Sequence, residues 1–149
     1  MTINESKTID RIQHLTELHG APGFEDDIKA YMKDQMTPFV DEFIENRMGG
    51  FFGVKKSAKP NAKRVMVAAH MDEVGFMITH ITENGMIQFT NLGGVANDIW
   101  QGQRLKVKNR NNEEITGVVS NIPKHFRTGN EVVPQISDLM LDICLLYTS

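Results

Sequence analysis

Near residue 73 the chain changes its hydrophobic period, and no other feature narrows its possible folds as much. Up to that point, "RVMVAAHMD" (Arg64–Asp72) is short and almost continuously apolar, and it ends in His-x-Asp. After it, "VGFMITHIT" alternates, placing Val74, Phe76, Ile78 and His80 on one side. A continuous run suits a strand covered on both faces, as in a sheet layered by helices. Strict alternation suits a half-buried antiparallel strand. One chain therefore carries the signature of an α/β layer and then that of an all-β unit.

The segments on each side agree with this split. Ile9, Ile12, Leu15 and Leu18 form one apolar stripe, predicting a helix over about 6–19, with Ser6 or Asn4 as cap and Gly20 and Pro22 as stop. A second helix is expected from Glu25 to Met36, with Glu25, Asp26 and Asp27 at the positive end of its dipole and Pro38 closing it. "FVDEFIENRM" and "FFGVKKS" flank Gly49–Gly50 as a strand pair, and "AKPNAK" reads as a loop. Beyond residue 74, "ENG" and "NLGG" mark turns. "MIQFT", "QRLKVKN", "EEITGVVS" and "DLMLDI" are expected strands, with no convincing helix among them. The expected architecture is α/β: residues 1–73 as the incomplete N-terminal part of an α/β domain, 74–143 as a small antiparallel β-barrel or sandwich, and 144–149 as an atypical tail.

Composition excludes several function classes. With 16 Lys and Arg against 19 Asp and Glu, the net charge is -3. That balance does not favour nucleic acid as a partner. No apolar run approaches the roughly 20 residues of a membrane helix. A single cysteine, Cys144, permits no internal disulfide, and the polar start lacks a signal-like apolar stretch, so a soluble cytoplasmic setting is expected. G-x-S-x-G, P-loop and CxxC motifs are absent from the sequence.

What remains is His70 and Asp72. Neutral imidazole is a good ligand for zinc, cobalt and similar ions. A strand end is where α/β sheets open their crevice. Residues two apart on an extended chain share a face. Asp72 can then reach the His70 ring, fix its tautomer and raise its basicity. A lone histidine at a strand end is more often a solvated or packed structural residue than a ligand, and the pattern alone leaves both readings open. His14, His19, His80 and His125 are scattered, and Asp138 and Asp142 lie in the β half. None of them supplies a second cluster with ligand spacing.

At these residues a resemblance enters. "AAHMDEVGFMITHITENGMIQFTNLGG" resembles the signature of the M42 family of metallo-aminopeptidases. "LTELHGAPGFEDDIKAYM" is similar to that family's opening helix, small-residue turn and second helix. "GQRLKVKNRNNEEITGVVSNIPKHF" resembles its inserted β domain, and "DLMLDI" the strand leading back. Together these cover about residues 8 to 143. The resemblance implies an α/β catalytic domain interrupted by a β-barrel used in assembly, and a homo-oligomer, a dodecamer in the family. It also implies two divalent metal ions, zinc or cobalt, and hydrolysis of the N-terminal bond of peptide substrates. His70 matches a metal ligand and Asp72 the carboxylate that supports it. Glu73 and Gly75 fit the motif without an assigned role.

The remaining ligands and the general base of the family are expected beyond the inserted domain. "CLLYTS" departs from the family pattern at Cys144 and reads as the foreign end of a truncated or frame-shifted reading frame rather than a natural variant. The 149 residues alone are therefore expected to be inactive. Two alternatives stand beside this reading: another co-catalytic metallopeptidase, and a non-catalytic fragment or self-assembly module built on the β half.

Overall fold

The computed structural model describes residues 4–120 and 133–143. His125 with its Ile-Pro-x-His stretch, Cys144 and the tail 144–149 lie outside the described residues. The chain divides into two compact units, 1–73 and 74–149.

The first unit opens with helix α1 (Glu5–Glu17). Asn4 caps it, its Oδ1 accepting from the Lys7 N–H at 3.2 Å. Helix α2 (Asp26–Met36) starts with Asp26 and Asp27 in its first turn and runs into a 3-10 turn at Thr37–Phe39 that contains Pro38. The antiparallel hairpin of strands β1 (Glu42–Glu45) and β2 (Phe51–Val54) follows. Asn46 closes its turn, with Oδ1 accepting from the N–H groups of Met48 and Gly50 at 2.9 and 3.0 Å. Asp41 secures the open end through the Lys55 ammonium at 3.0 Å and the Lys56 N–H. Lys29 and Lys33 of α2 both reach Glu45 of β1. These two helices and the hairpin stand where the sequence predicts them.

Two expectations for this unit are corrected. The apolar run at 65–69 forms no strand: residues 62–74 make no ladder, and Val65, Met66 and Val67 are 85%, 78% and 92% exposed. A buried parallel strand depends on neighbours distant in sequence, and no described residue of the unit pairs with this segment. The stripe on α1 is likewise uncovered over its first half, while Leu15 and Leu18 are half-buried. The helix has no buried residue, and Ile9 and Ile12 are exposed. Among the described apolar side chains of this unit, only Ala21 and Ile28 are buried.

The described residues of the second unit form a five-stranded antiparallel sheet. Its strands are β3 (Gly75–Ile81), β4 (Ile87–Leu92), β5 (Arg104–Lys108), β6 (Glu114–Val119) and β7 (Met140–Asp142), in the order β3-β4-β7-β6-β5. Among the described residues, short 3-10 turns at Asn97–Ile99 and Ile136–Asp138 interrupt it. The pairings Ile87↔Leu141 and Val119↔Leu141 place alternate residues of three strands on one face. There Ile87, Phe89, Val119 and Leu141 join Ile136 and Leu139 in a buried core. Phe76 lies edge-on to both Phe89 and Trp100, with ring centroids 5.0 and 4.8 Å apart. The opposite face mixes Gln88, Thr116 and Lys106 with Met77, Val118 and Met140, none of which is buried. This one-sided burial is the physical content of the alternation.

One detail of the alternation changes. Ile78 pairs with Phe89, but the next register position is His80↔Gln88, so Thr79 is a bulge residue. The bulge moves His80 off the face of Phe76 and Ile78 and returns Ile81 to it, opposite Ile87. The described ladders leave β3 and β5 at the two edges of the sheet.

Candidate metal centre

His70 and Asp72 sit in the unladdered segment that ends unit one. Two residues apart in this segment, the side chains meet, and His70 Nδ1 lies 2.9 Å from Asp72 Oδ1. The hydrogen bond from His70 holds the Asp72 carboxyl below its ordinary pKa, aided by a backbone N–H and by the coulombic effect of the ring. The His70 side chain is 92% exposed, so Nε2, the nitrogen that Asp72 leaves unused, is open to a ligand. An imidazole with Nδ1 held by a carboxylate and Nε2 free is the donor arrangement that a divalent ion takes from histidine.

What holds this segment is a main-chain contact with the turn after α1. The Glu73 N–H donates to the Gly20 carbonyl at 2.9 Å. Gly20 is itself backed by Ile28 on α2: a Cβ at position 20 would stand 2.2 Å from Ile28 Cδ1 and 3.8 Å from the Met71 carbonyl oxygen. The turn then closes with the Phe24 N–H on the Ala21 carbonyl, with Gly23 at a φ of +87°. The small residues of "HGAPG" had a visible signal in the sequence, but that signal reads only as a helix stop.

The other sequence candidates are not drawn to this pair. His14 packs on Tyr31, with ring centroids 4.3 Å apart. His80 lies on β3 opposite Gln88. Asp138 serves its own 3-10 turn, Oδ2 accepting from the Gln135 N–H at 2.9 Å. Asp142 belongs to β7, opposite Val118. Among the described residues no three His, Cys, Asp or Glu side chains converge to hold a metal ion. A cleft of about 400 Å³ in unit two is lined by Thr79, Gln88, Thr90, Asn91, Asn97, Gln135 and other uncharged side chains. None of these ionises near neutral pH, so this cleft offers no general acid or base.

The profile of the M42 glutamyl aminopeptidase family matches residues 49–147. The glutamyl aminopeptidase of Lactococcus lactis subsp. cremoris is 38% identical over 136 residues, covering 89% of this chain and 38% of the relative. Among solved structures, aminopeptidase APDkam598 from the archaeon Desulfurococcus kamchatkensis superposes with a TM-score of 0.85 at 32% identity, over 93% of this chain and 38% of that one. The Pyrococcus horikoshii TET1 peptidase, described as assembling into a tetrahedron or a large octahedral shell, matches at a TM-score of 0.76 and 26% identity, over 91% of this chain and 40% of that one. The chain thus spans about two fifths of the length of these relatives.

Proposed function

Because the chain belongs to the M42 glutamyl aminopeptidase family, we propose that its sequence serves metal-dependent release of N-terminal residues from peptides. The observation that carries this reading is the His70–Asp72 pair, with Nδ1 engaged at 2.9 Å and Nε2 exposed. In this reading His70 is a ligand through Nε2, and Asp72 accepts a hydrogen bond from Nδ1–H and sets ring orientation and tautomer. Two divalent ions, zinc or cobalt, would supply a water of lowered pKa and polarise the scissile carbonyl. Unit two is read as the inserted β domain used in assembly, within a homo-oligomer that is a dodecamer in the family. The assembly described for the Pyrococcus horikoshii relative supports it. A cytoplasmic setting belongs to the same proposal and rests on the single cysteine.

The described residues contribute one ligand and its orienter, while a hydrolytic metal site uses about three protein donors. The 149 residues by themselves are therefore expected to show no measurable peptidase turnover. Metal-dependent turnover of a peptide substrate, lost in His70→Ala, would contradict that. The ligand assignment has its own test in a Co²⁺ titration followed by NMR. His70 ring resonances are expected to broaden before those of His14, His19 and His80. Equal broadening at all four overturns the assignment.

A second reading is favoured by one observation. The six-residue buried core belongs to unit two, and unit one buries little. In this reading the chain acts as a non-catalytic self-assembly module. Light scattering on the purified chain distinguishes the two: a discrete oligomer without metal supports the module, and a monomer removes it.

A further inference from the structure

The His70–Asp72 segment lacks what normally fixes a ligand in a sheet enzyme, a strand ladder on either side. Among the described residues, one main-chain hydrogen bond ties 64–73 to the rest of the unit, from the Glu73 N–H to the Gly20 carbonyl at 2.9 Å. The acceptor is buried, and so is Ala21 after it. Ile28, 5% exposed, presses on Gly20 from α2. The order of contact is therefore helix, glycine, ligand segment, with no space at position 20 for even one methyl group unless Ile28 Cδ1 moves.

We propose that Gly20 is a positioning residue for the candidate ligand pair: its lack of a side chain lets Ile28 seat the turn so that its carbonyl holds Glu73, and with it the His70–Asp72 contact. The inference rests on the reading of His70 as a ligand for its functional meaning, but its geometry stands independently. A methyl group at position 20 meets Ile28 Cδ1 at 2.2 Å and Cγ1 at 3.3 Å, and because Ile28 is buried the turn gives way rather than Ile28 alone, so that the Glu73 N–H loses its acceptor and Asp72 is no longer presented to Nδ1 at a fixed distance. His70, exposed and without its orienter, then samples both tautomers in solution.

The test uses the full 149-residue chain without metal and reads two signals, the exchange rate of the Glu73 amide and the ¹⁵N shifts of the His70 ring. Gly20→Ala is expected to speed Glu73 exchange by about tenfold or more, as for an amide released from a local hydrogen bond. The His70 shifts should move toward the averaged values of a free imidazole. Ile28→Val removes the δ-methyl that stands closest to position 20, and in the Gly20→Ala background it is expected to restore both signals. Glu73→Pro removes the donor without touching Ile28 or Gly20, and should reproduce the His70 change. It decides the question if Gly20→Ala unfolds the unit. A role confined to stability would lower the melting temperature and leave the His70 tautomer unchanged. Unchanged His70 shifts in Glu73→Pro overturn the proposal, as does unchanged Glu73 exchange in a folded Gly20→Ala. Failure of Co²⁺ to select His70 in the unsubstituted chain removes the ligand reading and leaves the positioning claim to be judged on these two signals.

Discussion

Asp41 shows how much a single exposed carboxylate organises in this chain. It accepts from the Lys56 N–H and from the Lys55 ammonium. The backbone hydrogen bond from Lys56, then the side-chain bond from Lys55, hold its pKa below the ordinary aspartate value. A depressed native pKa means the contribution is complete above the unfolded value of about 3.9 and is lost as pH falls through the native value. A carboxyl-carbon NMR titration of Asp41 should therefore give a midpoint below that of a model peptide. Asp41→Asn should reduce the pH dependence of hairpin fraying below about pH 4, with Glu45, whose pKa the Lys33 ammonium also lowers, keeping the remainder, and a normal Asp41 midpoint would refute this account. Gly117 makes the complementary case for absent atoms. A Cβ there would sit 2.8 Å from Leu141 Cγ and 2.9 Å from the Asp142 carbonyl oxygen, with backbone on one side and a buried side chain on the other. Gly117→Ala is expected to cost about 1–3 kcal/mol, as overpacked cores do. A thermal melt of the β unit with no shift would contradict this.

Elements differ in how much of themselves they owe to local sequence. Helix α1 needs its Asn4 cap and its own hydrogen bonds, and it forms with the first half of its apolar stripe exposed. Its periodicity is legible because it is local. Strand β3 is legible too, but its bulge is not. Simple alternation from Phe76 through Ile78 would bring His80 onto the core face, and only pairing with β4 shows that Thr79 is skipped. The bulge spares the core an imidazole that would need a partner. Deleting Thr79 should therefore leave a regular ladder with Ile81 still opposite Ile87. A cross-strand NOE between those two side chains is expected to survive the deletion, and its loss would show that the bulge has another purpose.

At the scale of the molecule the two units are unequal. The β unit closes a core around Ile87 and Val119, which are 2% and 1% exposed, whereas unit one leaves Val65, Met66 and Val67 in solvent. Local stability follows buried contacts and laddered hydrogen bonds. Native-state hydrogen exchange should accordingly protect the amides of Phe89, Val119 and Leu141 most and those of 62–70 least. Trypsin should cut first at Lys63 or Arg64, in the exposed extended segment, and leave the β unit intact. First cleavage between β5 and β6 would contradict the ranking.

The sequence by itself determined the local elements: two capped or charge-biased helices, the Gly49–Gly50 hairpin, and the alternating strands from Gly75 onward. Each depends on residues within a few positions of one another. It also marked His70 and Asp72 as partners, because two residues apart on an extended chain is a local relation, and the 2.9 Å contact agrees. Only the tertiary structure decided what the apolar run before His70 does. An apolar run does not pair without neighbours, and the sequence pattern of a buried strand carries no record of whether they are present. Tertiary structure alone likewise revealed the contact of Glu73 with Gly20, fifty-three residues away. A hydrogen bond to a carbonyl leaves no pattern in side-chain identity except the small residue that makes room for it.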